Sequence, residues 1–311
     1  MARIIISEFM DQAAIDEGFG RHEVVYEPDL VDHPARLALL VSDAQALIVR
    51  NRTQVRGALL EAAGKLRVVG RLGVGLDNID VAACKARAIA VCPANGANDV
   101  AVAEYVLACA LMLLRGAYQA GQPMIEGAWP RQDLIGREMA GKTFGLVGFG
   151  AIARETARRA QVFGVKLIAY DPFISNDDQV WRASEVRPVT LADLLAEADI
   201  ISLHVPLTDQ TRGLFDVATI ARMKKHAILI NAARGGIVDA EALAAALLTG
   251  HLGGAALDVF AAEPLRGDDG IVFAHVPNLI LTPHIAGVTD ESNIRVSRVT
   301  VKNVLTHLGE G

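Results

Sequence analysis

Residues 142–153 read KTFGLVGFGAIA, and this stretch limits the fold more tightly than any other. Thr143 to Val147 form a short apolar run of strand type. Gly148 and Gly150 follow, and a helix-period stretch runs over 151–162. A strand that passes straight into a helix through G-x-G-x-x-G/A is the turn of a parallel βαβ unit. Gly148 permits the tight turn, Gly150 lets backbone approach a pyrophosphate, and Ala153 is small enough for close helix–strand packing. Ala151 and Ile152 open the helix, whose unpaired N–H groups and positive dipole end suit an anion. The next strand, VKLIAY (165–170), runs into Asp171. A carboxylate there can accept from both ribose hydroxyls and would repel a 2′-phosphate. A glycine triplet alone serves many structural turns. With strand, helix and downstream acid it predicts a dinucleotide site, for NAD rather than NADP.

The rest of the chain repeats the alternation of short apolar runs and helix-period stretches that marks an α/β protein with parallel sheets. Strands are expected at 3–7, 46–50, 67–71 and 89–92, with helices near 11–18, 34–43, 55–63 and 79–87. VCPANGAN (91–98) breaks the rhythm, and a long amphipathic stretch follows over 99–117, so a domain crossing is placed there. A second series begins at residue 142, with strands at 165–170, 198–205, 227–233, 253–260 and 279–282. Its helices fall near 151–162, 190–196, 216–222 and 239–249. A last helix, 289–307, comes after this series is complete, and an economical solution returns it to the first domain.

Length and composition exclude several classes. The chain has 311 residues, enough for two domains, and 52% of them are apolar, which fits packed cores. A formal net charge of −6 argues against a nucleic-acid surface; Arg154, Arg158 and Arg159 read as the solvated face of a helix. The three cysteines, Cys84, Cys92 and Cys109, have no metal-ligand spacing and fit a reducing compartment. No metal site is expected. The N-terminus MARIIISEFMD has no signal-peptide pattern, and AVAEYVLACALMLL (101–114) carries Glu104 and is too short to span a bilayer. A cytoplasmic protein with neither nucleic-acid nor membrane partner is the expectation.

In doubly wound sheets ligands gather at the carboxyl ends of the strands. At that edge of the second series stand Arg234 after strand 227–233, Asp258 and Glu263 at the end of 253–260, and His284 after 279–282. Singly, each has an ordinary structural use: an ion pair at a helix end for Arg234, a cap for Asp258, a surface carboxylate for Glu263, a local hydrogen bond for His284. Jointly they suit an alcohol–ketone interconversion. The hydroxyl proton must leave as hydride departs, and a histidine titrates near neutrality. A carboxylate beside it favours imidazolium and orients the ring. Arginine offers a fixed fork for a substrate carboxylate or carbonyl. GVGLDN (73–78) departs from the dinucleotide pattern at Asn78; it reads either as a small anion-binding nest of backbone amides or as an ordinary turn capped by Asp77 or Asn78.

GFGAIA with Asp171, HVPLT (204–208), NAARGGIVD (231–239), ALDVFAAEP (256–264) and TPHIAG (282–287) resemble the D-2-hydroxyacid dehydrogenases. RLGVGLDNID (71–80) and NDVAVAEYVL (98–107) extend the resemblance over nearly the whole chain. It is strongest toward members of the D-3-phosphoglycerate dehydrogenase type, with sulfolactate dehydrogenase in the same range. The resemblance implies two Rossmann-like domains with a cleft between them. A discontinuous substrate-binding domain would span 1–97 plus 288–311, and an NAD-binding domain 98–287. It implies His284 as acid/base, Glu263 as its partner and Arg234 as the clamp on the substrate. It also implies that Pro206, Thr208, Ala232, Arg234, Asp258, His284 and Gly287 line the cofactor with the glycine loop, Asp258 toward the nicotinamide carboxamide. Amides at Val74 and Gly75 would hold the substrate carboxylate. A homodimer through the NAD-binding domain is implied as well. Ala151 stands where such loops often carry arginine, and Val74 where the phosphoglycerate type often has threonine. Glu263, rather than glutamine, argues against the formate dehydrogenase branch.

Arg50, with Arg52 close behind, ends strand 46–50, and Arg71 ends strand 67–71. Two parallel strands ending in arginine form either an anion pocket for a substrate tail or two salt-bridged surface cations. The pocket reading gives a D-configured 2-hydroxy acid with a second anionic group, of the 3-phosphoglycerate or 3-sulfolactate type. The alternatives are a general 2-ketoacid or hydroxypyruvate reductase, and an NAD-sensing binding protein like the corepressors on this fold.

Overall fold

The computed structural model describes residues 1–309; the last two residues of the 288–311 segment lie outside the described residues. The chain divides into two compact units. One combines Met1–Asn98 with the chain from Val288 on, and the other is Asp99–Gly287.

The first unit runs β1 (Arg3–Ile6), α1 (Gln12–Phe19), β2 (Glu23–Tyr26), α2 (Pro34–Val41), β3 (Ala46–Val49), α3 (Gly57–Ala62), β4 (Val68–Arg71), α4 (Val81–Ala86) and β5 (Ala90–Pro93). Its strands pair in parallel in the order β2-β1-β3-β4-β5. The inner strands are unbroken apolar runs because both faces of a parallel sheet are covered. Alternate residues then go to opposite sides. Ile4, Ile6, Ile48 and Val68 join one core, and Ile5, Leu47, Val49 and Val69 the other.

The second unit runs α5 (Asp99–Arg115), α6 (Gly121–Ile125), β6 (Thr143–Val147), α7 (Ala151–Ala160), β7 (Lys166–Tyr170), α8 (Gln179–Ala183), β8 (Arg187–Pro188), α9 (Leu191–Glu197), β9 (Ile200–Leu203), α10 (Val217–Ala221), β10 (Ile228–Asn231), α11 (Ala240–Leu248), β11 (Gly254–Leu257), α12 (Asp268–Ile271) and β12 (Leu279–Leu281). All its pairings are parallel, in the order β12-β11-β10-β9-β6-β7-β8. The order reverses between β6 and β9, so the crevice of this doubly wound sheet opens at the loop after β6, where the two glycines lie.

The chain then re-enters the first unit as α13 (Asp290–Leu308), which packs on α1, β4 and β5. Thr289 and Ser292 close a capping box at its start. Glycines make its seat. A Cβ on Gly70 of β4 would stand 2.7 Å from Val304, and one on Gly18 of α1 2.2 Å from Val301.

Three details correct the sequence reading. β2, α6, α8, β8 and α12 were not anticipated. β7 ends where expected, but β9 to β12 stop one to three residues short of the expected ends, because the polar residues there fold turns. The cap of α4 is Asp80, which accepts from Ala83 N, and not Asp77 or Asn78. Asn78 is buried and its amide group bridges Arg50 O and Thr53 O.

Candidate active site

The glycine loop has the form an anion needs. Gly148 takes φ +87°, and a Cβ there would meet His204 O at 2.7 Å, so the turn both winds left-handed and lies against the end of β9. A Cβ on Gly150 would meet nothing within 4 Å, so that side of the loop is open. Asp11, Asp80, Asp178, Asp216 and Asp239 each cap a helix with a side-chain oxygen. Gly150, at the start of α7, offers no such cap. Among the described residues the amides of Gly150, Ala151, Ile152 and Ala153 donate to no protein acceptor. Ala153 is fully buried against the sheet. Asp171 stands just past β7, and its carboxylate accepts from Phe149 N and Phe173 N, both at 2.9 Å. Each oxygen keeps a lone pair for a further donor. Four unspent amides and a half-used carboxylate fit the pyrophosphate and ribose of NAD.

Two buried polar residues shape the loops after β10 and β11. Asn231, 1% exposed, accepts from Ala233 N and donates to Arg234 O, winding the turn that carries Arg234. Its carbonyl receives Asp258 N at 3.0 Å. Asp258 is fully buried and receives Thr282 Oγ1, Ile285 N and Ala286 N on its carboxylate, and His284 N at 2.8 Å on its carbonyl. The turn after β12 is thus wound around Asp258, and His284 is held at φ +56°.

His284 Nδ1 lies 2.7 Å from Glu263 Oε2, and Glu263 Oε1 receives Phe260 N at 3.0 Å. Burial alone would push the Glu263 carboxyl up. The His284 bond, the Phe260 amide and the nearby charges of His284 and Arg234 outweigh it and hold the group below the usual glutamate range. Glu263 is therefore an anion at neutral pH. A carboxylate only accepts, so Nδ1 carries a hydrogen in either state of the ring, and in the neutral form of His284 Nε2 keeps a bare lone pair. Such a ring can take a proton and return it. Arg234 lies close enough to Glu263 to contribute to its shift, and its Nη1 donates to Ala233 O.

Of the other residues expected around the cofactor, Pro206 and Thr208 follow β9 in a turn closed by Thr211, which donates to Pro206 O at 2.6 Å. Ala232 follows β10 and Gly287 closes the His284 turn. In the first unit, Arg50 and Arg71 come to the same edge of neighbouring strands, with Val49 in register with Arg71. The Arg50 guanidinium donates to Asn293 Oδ1 at 2.7 Å and lies 5.6 Å over the Phe9 ring. Burial lowers its pKa, with Glu8 opposing. Arg52 instead pairs with Asp32 at the surface. Arg71 donates to Leu72 O and lies where a Cβ on Gly73 would be, 1.8 Å from Nη1. The amides of Val74 and Gly75 donate to no protein acceptor among the described residues.

Residues 107–286 match the D-isomer specific 2-hydroxyacid dehydrogenase, NAD binding domain. The chain is 54% identical over 309 residues to an (S)-sulfolactate dehydrogenase of Chromohalobacter salexigens, covering 99% of each.

The chain belongs to the D-isomer-specific 2-hydroxyacid dehydrogenase family.

It is also 40% identical over 300 residues to a D-3-phosphoglycerate dehydrogenase of Synechocystis, of which it spans 52% of the length. Among solved structures it is similar to D-lactate dehydrogenase from Aquifex aeolicus complexed with NAD and lactic acid, with a TM-score of 0.85 and 27% identity, covering 99% of this chain and 96% of that one. As a member of this family it is an NAD-dependent oxidoreductase of 2-hydroxy acids.

In this dehydrogenase several residues that hold candidate site residues in place have no motif in the sequence to mark them for that role. Asn231 is one; an asparagine closing a buried strand was the available signal. Gly235 is another. A Cβ there would stand 1.9 Å from Phe260 O, so only glycine lets the Arg234 loop lie against the loop that carries Glu263. Glu8 is a third. It is 4% exposed and receives the amides of Arg50, Arg52 and Thr53, fixing the segment that bears Arg50.

Proposed function

We propose that the enzyme interconverts a D-configured 2-hydroxy acid carrying a second anionic group with the matching 2-keto acid. The observation that carries the chemistry is the 2.7 Å pair of His284 Nδ1 and Glu263 Oε2, with Arg234 beside it. Bound NAD supplies the hydride chemistry. In oxidation Nε2 of His284 takes the hydroxyl proton, and Glu263 stabilises the imidazolium that results. In reduction the same nitrogen gives the proton to the carbonyl oxygen. Arg234 grips the substrate carboxylate with its fork and polarises the carbonyl, remaining charged throughout. Amides at Val74 and Gly75 receive the carboxylate. Gly148, Gly150, Ala151 and Ile152 hold the pyrophosphate, Asp171 the adenosine ribose, and Pro206, Thr208, Ala232, Asp258 and Gly287 line the rest of the cofactor.

Arg50 and Arg71 take the second anion. Arg50 supports this because its contacts, Asn293 and Phe9, are both neutral. Its half-buried charge makes no ion pair among the described residues and is only partly offset by Glu8, so an incoming anion is favoured there. Val74 offers no hydroxyl donor, and the relative at 54% identity is named for sulfolactate, so a sulfonate such as 3-sulfolactate is the preferred substrate over 3-phosphoglycerate. The reading includes a homodimer through the NAD-binding unit and a cytoplasmic location, supported by three unpaired, buried cysteines. Among the described residues no single helix is long and apolar enough to cross a membrane.

The test is a panel of sulfopyruvate, phosphohydroxypyruvate, hydroxypyruvate, pyruvate and glyoxylate with NADH. Sulfopyruvate is expected to give the highest kcat/KM, and no turnover on any would remove the reading. His284→Ala is expected to lower kcat at least about a hundredfold.

A further inference from the structure

Behind His284, Asp258 is tied to two polar side chains that the mechanism does not use. Tyr105 lies on α5, and its hydroxyl is 2.6 Å from Thr282 Oγ1. Thr282 donates to Asp258 Oδ1, also at 2.6 Å. A threonine hydroxyl has one hydrogen. Since that hydrogen goes to Asp258, Tyr105 is the donor to Thr282. Cys109, buried one turn further along α5, engages the same phenol. Burial raises the Cys109 thiol to about 11 and pushes the Tyr105 phenol up as well, so both keep their hydrogens. Every hydrogen bond between Tyr105 and Asp258 therefore points toward one carboxylate. That carboxylate holds Ile285 N and Ala286 N, and the carbonyl of the same residue holds His284 N. A histidine at φ +56° is in a region that a residue with a Cβ occupies only where its surroundings over-determine it.

Resting on the assignment of His284 as the proton-transfer group, we infer that Tyr105 is a positioning residue for the reaction. Its hydroxyl, acting through Thr282 on Asp258, keeps the 282–286 turn in the geometry that presents His284. Phenylalanine at 105 fills the same space but gives Thr282 no donor, and the threonine hydroxyl is then no longer fixed from both sides. Small displacements of a proton-transfer group are expensive in rate, while none of these hydrogen bonds involves the glycine loop between β6 and α7.

Tyr105→Phe is expected to lower kcat about five- to tenfold, the factor of one ordinary hydrogen bond, with KM for NADH within about twofold of the parent. Thr282→Val is expected to fall at least as far, and Thr282→Ser to recover most of the loss because it keeps the hydroxyl. Since Tyr105 acts through Thr282, the double variant Tyr105→Phe/Thr282→Val should be no slower than Thr282→Val alone. Thermal unfolding of each variant separates a loss of fold from a loss of rate. If Tyr105→Phe and Thr282→Val both keep kcat within about twofold while His284→Ala is inactive, the positioning role is wrong and the proton-transfer assignment stands. If their losses multiply, the route through Thr282 is wrong. If His284→Ala itself stays near the parent kcat, the assignment falls and this role with it.

Discussion

At the scale of single residues, we propose that Asp171 selects the cofactor through a division of labour within one carboxylate. Two backbone amides from Phe149 and Phe173 fix its orientation at 2.9 Å each. Among the described residues the remaining lone pairs meet no protein donor, and they suit two vicinal hydroxyls, while the charge opposes a phosphate. Asp171→Ala is expected to raise KM for NADH and to lower the NADH/NADPH preference at least about tenfold, read from kcat/KM with the two cofactors. An unchanged ratio would remove Asp171 from cofactor selection. Glu263, His284 and Arg234 were visible in the sequence as polar residues ending apolar strands, and the structure puts Glu263 and His284 at 2.7 Å with Arg234 near enough to act on Glu263. Asn231, Gly235 and Tyr105 were not visible. Gly235 and Tyr105 matter through atoms of segments distant in the chain, Phe260 O and Thr282 Oγ1, and no local pattern announces such a meeting; Asn231 winds its own loop, and its place at the end of a buried strand is its one local sign.

At the scale of elements, the seat of α13 depends on absent side chains. Gly18 lies inside α1, where alanine would ordinarily add about 1 kcal/mol of helix propensity. Its Cβ would stand 2.2 Å from Val301 Cγ1, and a valine on a packed helix has little room to turn aside. Overpacking typically costs about 1–3 kcal/mol, so Gly18→Ala is expected to destabilise in urea titration, and Gly18→Ala with Val301→Ala to regain part of the loss. A stabilised single variant would mean that α1 and α13 can separate freely. Strand legibility follows the same logic of coverage. The inner strands are continuous apolar runs and were read correctly as elements. β2 is a half-buried edge strand of four residues, too mixed to stand out. α6, α8 and α12 have four or five residues, shorter than two turns, so a 3.6-residue period has no length in which to appear. Expected strands overran their true ends because apolar character continues past the last ladder bond, into turns that Asn231 and Asp258 wind.

At the scale of the whole molecule, the two units differ in how much chain each needs. The unit Asp99–Gly287 is continuous and holds two core clusters of its own. The other unit has a core cluster that includes Val296, Val301, Val304 and Leu308, all from α13. A chain stopped after Gly287 is therefore expected to yield, on limited proteolysis, a resistant fragment near 99–287 that still binds NADH, while residues 1–98 are digested. Equal resistance throughout would show that α13 is dispensable. The same connectivity sets a timetable for a nascent polypeptide. The first 98 residues leave the ribosome with one sheet face covered only by α1, and the helix that completes the cover is translated after the whole central unit. At roughly 5–20 residues per second that interval is about 10–40 s, during which the central unit can complete itself. The unit synthesised first is thus the one finished last, and its waiting apolar face is where a chaperone would find most to hold.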